Sequence, residues 1–118
     1  MSEVYIPDNL FAGSVMPKVT DTMVIEAGQN LPRGALLGRV TANGKGKLVD
    51  KNATDGSETV YAVLAEDVDA TASDKLAAVF LTGEFNENAL TVAAGNTVAE
   101  HKAAARDRGI FIKSVVRA

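Results

Sequence analysis

The first twenty residues, MSEVYIPDNLFAGSVMPKVT, constrain this chain more than any later stretch. They hold Val4, Tyr5, Ile6, Leu10, Phe11, Val15 and Met16, yet Pro7, Gly13 and Pro17 interrupt them too often for a helix or long strand to run through. Disordered tails are usually polar, because low hydrophobicity is what keeps them from folding. Apolar anchors without periodicity therefore read as a strap, residues 1–20, that docks on something else, attached to a β-rich body over residues 21–118. The expected anchors are Val4, Tyr5, Ile6, Pro7, Leu10, Phe11, Val15 and Met16, since an extended segment adds readily to the edge of another sheet. The competing reading folds Tyr5, Ile6, Leu10 and Phe11 back on their own domain as an edge strand or plug.

A chain of 118 residues is one domain's length and can bury a modest core without staples. Cysteine is absent, which removes disulfides, thiolate catalysis and cysteine-ligated metal from consideration. The net charge is −3, from 12 basic and 15 acidic residues, with no basic run to neutralise a row of phosphates, so no nucleic-acid partner is expected. No apolar run reaches the roughly 18 residues that cross a bilayer, and no basic region followed by a hydrophobic stretch opens the chain, so neither a membrane nor secretion is expected. Tryptophan is missing and aromatics make up 5% of the chain, which favours small, tightly packed β layers over a ring-lined pocket.

Along the body, Thr22–Glu26 reads as a short β-branched strand, followed by a turn around Gly28 and Asn30. Ala35–Thr41 is a second strand, and Asn43-Gly44 predicts a tight hairpin into Lys47–Asp50. Val60–Ala65 and Leu76–Leu81 are continuous apolar runs, the pattern of strands covered on both faces. The acidic stretch between them, residues 66–74, predicts a surface loop, and residues 83–88 predict an irregular segment with Phe85 as inward anchor. Thr97 and Glu100 fit a capping box that starts one short helix, and Gly109 suits its end. Ile110–Val116 predicts a final strand. The expected class is mainly β (α+β): a small compact β domain with one short helix near the C-terminus and an extended N-terminal arm.

Few residues invite chemistry. His101 is the sole histidine; on the predicted helix its neighbours at four-residue spacing are Thr97 and Ala105, so no catalytic partner set forms and a surface or boundary position is expected. Glu66, Asp67, Asp69 and Asp74 lack the spacing of a calcium loop and read as a solvated acidic loop. Gly44-Lys45-Gly46-Lys47 lies between two predicted strands rather than between strand and helix, which disfavours a phosphate cradle. Asp55-Gly56 belongs to a turn. No catalytic residue, cofactor or metal is expected. A binding protein is, and a small β-barrel module for a carbohydrate or small ligand is the alternative to a structural role.

The order DNLFAG, AGQNLPRGALLG at 27–38, DGSETVYAVLAEDVDA at 55–70, LTGEFNENAL at 81–90 and a late helix ending in RGIFIKSVV resembles the lambda-type bacteriophage head decoration proteins across essentially the whole chain. None of these segments is a catalytic signature. The resemblance implies a non-enzymatic virion protein, a homotrimer on the outer surface of the expanded capsid at three-fold and quasi-three-fold sites. It would bind the major capsid protein through the arm, stabilise the shell against the pressure of packaged DNA, and reside in the host cytoplasm before assembly.

Overall fold

The computed structural model describes residues 19–113. They form eight strands and one short helix: β1 (Val19–Ile25), β2 (Gln29–Leu31), β3 (Leu36–Arg39), β4 (Gly46–Leu48), β5 (Val60–Leu64), β6 (Val68–Ala70), β7 (Lys75–Asn86), α1 (Lys102–Asp107) and β8 (Ile110–Lys113). Strand accounts for 45% and helix for 14%, the mainly β class with one short C-terminal helix that the sequence predicts. The main sheet runs β1-β4-β3-β5-β7, and a further antiparallel β1–β7 pairing curls it into a small barrel, with β8 added parallel to the end of β7. β2 and β6 make a separate two-stranded ribbon.

The apolar runs explain the layers. Neighbouring residues of a strand point to opposite faces, and in β3 both faces are buried: Leu36 packs with Val49, Val63, Phe85 and Ile110, while Leu37 packs with Ile25, Leu64 and Val79. β5 divides in the same way, Val63 to the first cluster and Ala62 and Leu64 to the second. One cluster fills the barrel; the other lies between the barrel wall and the α1–β8 layer, where Phe85 is fully buried as predicted and meets Phe80 with ring centroids 5.9 Å apart. Ala105 is the buried residue of α1, a side chain small enough to bring the helix close to the sheet.

Several expectations need correction. Asn30 lies within β2 rather than in the turn at Gly28, and the predicted acidic loop contains β6, whose three residues are too few to display a period. β7 does not stop before Gly83 but continues through Asn86, because the polar Glu84 and Asn86 are themselves buried, at 4% exposure each. Lys113 Nζ donates to Glu84 Oε1 at 2.6 Å, and Asn86 Oδ1 accepts from Asn88 N–H at 3.0 Å. Leu76 is 67% exposed, so the 76–81 run is not covered on both faces. The β3–β4 hairpin exists, but only Gly44 takes a left-handed φ, of 73°; Asn43 instead accepts from Lys45 N–H through Oδ1 at 3.0 Å, closing a longer loop than the expected two-residue turn. β1 begins at Val19, three residues earlier than predicted.

The helix start holds in its capping bonds. Thr97 N–H donates to Glu100 Oε1 at 2.7 Å and Glu100 N–H to Thr97 Oγ1 at 3.3 Å. A 3₁₀ turn over Ala99–His101 precedes α1, and Gly109 follows its end with φ 82°.

Candidate functional site

The predicted anchors Val4, Tyr5, Ile6, Pro7, Leu10, Phe11, Val15 and Met16 lie outside the described residues. What the structure gives is the root to which they attach. β1 leaves the arm at Val19, opposite Thr82 of β7, with Val19 N–H donating to Thr82 Oγ1 at 3.2 Å. Val19, Thr20, Asp21 and Thr22 are exposed, and only from Met23 does β1 begin to bury alternate side chains. Val24 and Leu76 face each other across the β1–β7 ladder, both exposed, and with Val19 they are the exposed large hydrophobics among the described residues. Three consecutive apolar residues, Met23-Val24-Ile25, carry the signal for this: a strand on a small barrel must turn one of them outward.

Among the described residues the other edge of β1 is nearly free. It meets β4 only where Ile25 pairs with Gly46, so a cleft of about 340 Å³ opens between β1 and the β3–β4 hairpin, with Thr22, Val24, Arg39, Lys45, Tyr61 and Leu76 among its walls. Thr22 N–H is closed by Asp21 Oδ1 at 2.8 Å. A carboxylate over an edge amide discourages indiscriminate strand pairing. A second, shallower groove of about 780 Å³ lies between α1 and β8, lined by Ala103, Phe111 and Ile112 with Lys102, Arg106 and Lys113 at its rim.

The chemistry-bearing residues are drawn into the scaffold. His101 is not at the surface but 4% exposed, a correction to the expected position. Asn96 explains it: Asn96 Nδ2 donates to Asp50 Oδ1 at 3.2 Å, which leaves Asn96 Oδ1 to accept from Lys51 N–H at 2.8 Å and from His101 Nε2 at 2.9 Å. His101 therefore carries its proton on Nε2 and ties the helix start to the loop after β4. Burial pushes its pKa below the ordinary value, partly opposed by the Glu100 and Asp50 carboxylates. Lys51 Nζ reaches Glu100 Oε2 at 2.8 Å and closes the same network.

The acidic residues are dispersed rather than convergent. Glu66 accepts from Ala78 N–H, Asp67 from Arg33 N–H, Asp69 from Thr71, and Asp74 from Ala27 N–H and Lys45. Each carboxylate thus closes a different turn or strand end. Lys45 pairs with Asp74 at 2.7 Å and Lys47 with Asp55 at 3.2 Å, so the lysines of the glycine-rich hairpin hold the hairpin down rather than face a ligand. Hydrogen bonds from the Ser57 hydroxyl and amide hold the Asp55 carboxyl well below the usual carboxylate range. Among the described residues no group of three or more His, Cys, Asp or Glu is placed to hold a metal ion.

Residues 3–110 match the family model described as bacteriophage lambda head decoration protein D. No curated protein matches the chain.

Proposed function

The chain belongs to the bacteriophage lambda head decoration protein D family, and from that premise we propose that it works as a homotrimeric cement whose three N-terminal arms strap it to the expanded shell. The coarser role follows from membership itself: a structural virion protein associated with the phage capsid, of a family that decorates heads and is not known for catalysis. The observation that carries the finer reading is the extent of the match. It begins at residue 3 and so includes the punctuated arm, which argues that the arm is part of what the family preserves as a working unit.

The mechanism rests on valency. Pairing of an extended arm with a strand of the major capsid protein supplies backbone hydrogen bonds and seats Tyr5, Ile6, Leu10 and Phe11, but it must offset about 1–2 kcal/mol of backbone entropy for each residue ordered. One arm is a modest ligand. Three arms on one trimer bind at high effective concentration once the first has seated, provided that the receiving strands lie at matching spacing. A site that exists only at three-fold and quasi-three-fold positions of the expanded shell makes attachment conditional on expansion. The exposed Val19, where β1 follows the arm, and Val24 and Leu76, farther along the β1–β7 ladder, supply apolar surface for the contact between copies, which a closed three-fold arrangement would bury.

The test compares full-length protein with a variant lacking residues 1–18, by melting temperature and by co-sedimentation with expanded and unexpanded shells. The expected result is unchanged melting and lost decoration, with full-length protein selecting expanded shells. A truncated protein that still decorates, or that fails to fold, would overturn the strap. Light scattering across micromolar concentrations checks the trimer.

A further inference from the structure

Tyr61 sits where the β3–β5 ladder slips. Leu37 faces Ala62 and Gly38 faces Val60, so Tyr61 is the extra residue of a bulge, a feature that redirects a side chain out of the regular pleat. Two guanidinium groups converge on its ring: Arg39 Cζ lies 5.6 Å from the centroid and Arg108 Cζ 5.4 Å. They come from distant parts of the sequence, one from β3 and one from the residue that follows α1. Neither has a carboxylate partner within 4.0 Å among the described residues. Lysines in the neighbourhood do: Lys45 and Lys47 are both paired.

The ring and both arginines line a polar recess of about 320 Å³ together with Thr41, Thr59 and Glu58. The hydroxyls add donors. Among the described residues Glu58 is the only carboxylate on the lining, and its Oε1 accepts from Gly56 N–H at 2.9 Å rather than from either guanidinium. The recess therefore holds two positive charges and one negative, a surplus of one, on a chain whose overall charge is −3. Two like charges brought to one ring, neither ion-paired among the described residues, are an arrangement that an incoming anion relieves, and guanidinium matches the two oxygens of a carboxylate in geometry as well as in charge. The resident Glu58 sets the class of anion. A single negative charge balances the surplus, whereas a phosphate dianion would exceed it and meet Glu58.

We infer that Arg39, Arg108 and Tyr61 form a binding site for a carboxylate borne by a partner polypeptide, an acidic side chain presented to this recess. The inference rests on the decoration reading only for the partner; the anion site itself is a property of the free protein.

The experiment follows the Tyr61 ring and arginine Nε–H resonances of the free, full-length protein at fixed ionic strength while acetate or inorganic phosphate replaces chloride. Saturable shifts with acetate, weaker ones with phosphate, and about a tenfold loss of acetate affinity in Arg39→Gln and in Arg108→Gln are expected. Glu58→Gln should move affinity the other way and tighten acetate. No saturable shift, tighter binding of phosphate than acetate, or indifference to both arginine substitutions would overturn the site. The same variants, with melting temperature as the control for folding, are then measured for trimer formation and shell co-sedimentation. Weakened, less salt-sensitive association supports a partner's carboxylate, because the ionic contact that salt would screen is gone, while acetate binding with normal association overturns the partner and leaves a site for free solutes. Loss of shell binding on arm deletion is read independently of the anion titration, so failure of one does not mimic failure of the other.

Discussion

Strand β7 treats its two ends in opposite ways. From Lys75 to Thr82 it pairs with β1 and leaves Leu76 67% exposed and its cross-strand neighbour Val24 37% exposed. From Gly83 to Asn86 it pairs with β8 and buries even a glutamate and an asparagine at 4% exposure. Hydrophobicity alone would assign the ends the other way round. The polar end is committed to the fold, because each buried polar group is supplied with a partner, which is the condition for placing one inside a protein. The apolar end buries Ala77 and Val79 but leaves Leu76, and Val24 across the ladder, uncovered within the described residues, on the strand that follows the arm. Surface that a lone domain leaves apolar is surface available to another chain.

The largest effect should come from the committed end. Phe85 is fully buried in the layer between barrel and helix, so Phe85→Ala should cost about 3–5 kcal/mol by lost transfer energy and the cavity left behind. Urea denaturation measures it. A loss below about 1 kcal/mol would mean that this end of β7 is not the anchor of the fold and would dissolve the contrast between the two ends.

Next in size is the polar latch that fastens the helix start beside that layer. Asn96 satisfies Lys51 N–H and His101 Nε2 through one oxygen, so Asn96→Ala leaves a buried imidazole and a backbone amide without their acceptor. About 1–3 kcal/mol of lost stability is expected, the range for orphaning a buried polar group. Hydrogen exchange should show the loss first at the amides of α1 and the turn before it. Uniform loss across the barrel would show that the latch serves the whole domain rather than this corner.

The same corner sets a pH dependence. Burial holds His101 neutral, with its pKa below the ordinary 6.5. The unfolded chain binds its proton near the ordinary value while the native chain resists, so between the two values the unfolded state holds more protons and stability rises with pH. Stability should thus be full above about pH 6.5 and decline as pH falls toward the native pKa. Asp50 and Glu100, whose pKa values are lowered by the bonds from Asn52 and Lys51, add their own losses only in the more acidic carboxylate range. His101→Gln should flatten the upper part of the urea-midpoint curve and keep the lower part. A curve unchanged by the substitution would place the titration elsewhere.

Much of this was legible in the sequence, and the failures share a cause. Continuous apolar runs such as Val60-Tyr61-Ala62-Val63-Leu64 announced strands buried on both faces, and Thr97, Glu100 and Gly109 announced the helix, because those signals are local. What was missed depends on partners distant in sequence. Glu84 is interior because Lys113 reaches it, and β6 is a strand because β2 lies beside it. His101 is buried because Asn96 turns back to meet it from five residues away and is itself fixed by Asp50. The Tyr61 recess needs residues from β3, β5 and the end of α1, and no spacing in the chain advertises that meeting. The strap proposed for residues 1–20 rests on punctuation by proline and glycine, which is also a local signal, whereas the exposed pairing of Val24 with Leu76 depends on β7 and is not.

The smallest effect on folding should come from the exposed Val24–Leu76 pair, and it sharpens the comparison most. Leu76 and Val24 contribute little to either core cluster, so Leu76→Ser with Val24→Ser should change the stability of the isolated domain by only about 0.5 kcal/mol, as exposed substitutions do. Their effect on assembly should be far larger, because a three-fold contact repeats each lost side chain three times. Stability linked to association depends on protein concentration. Urea midpoints are therefore compared at the lowest measurable concentration, and light scattering with shell co-sedimentation at micromolar concentration. Preserved folding with a monomeric mass and reduced decoration is expected. A large loss of stability in dilute protein would make these side chains part of the fold after all, while normal trimers would mean that copies of this chain meet through another surface and that the apolar end of β7 faces a different partner.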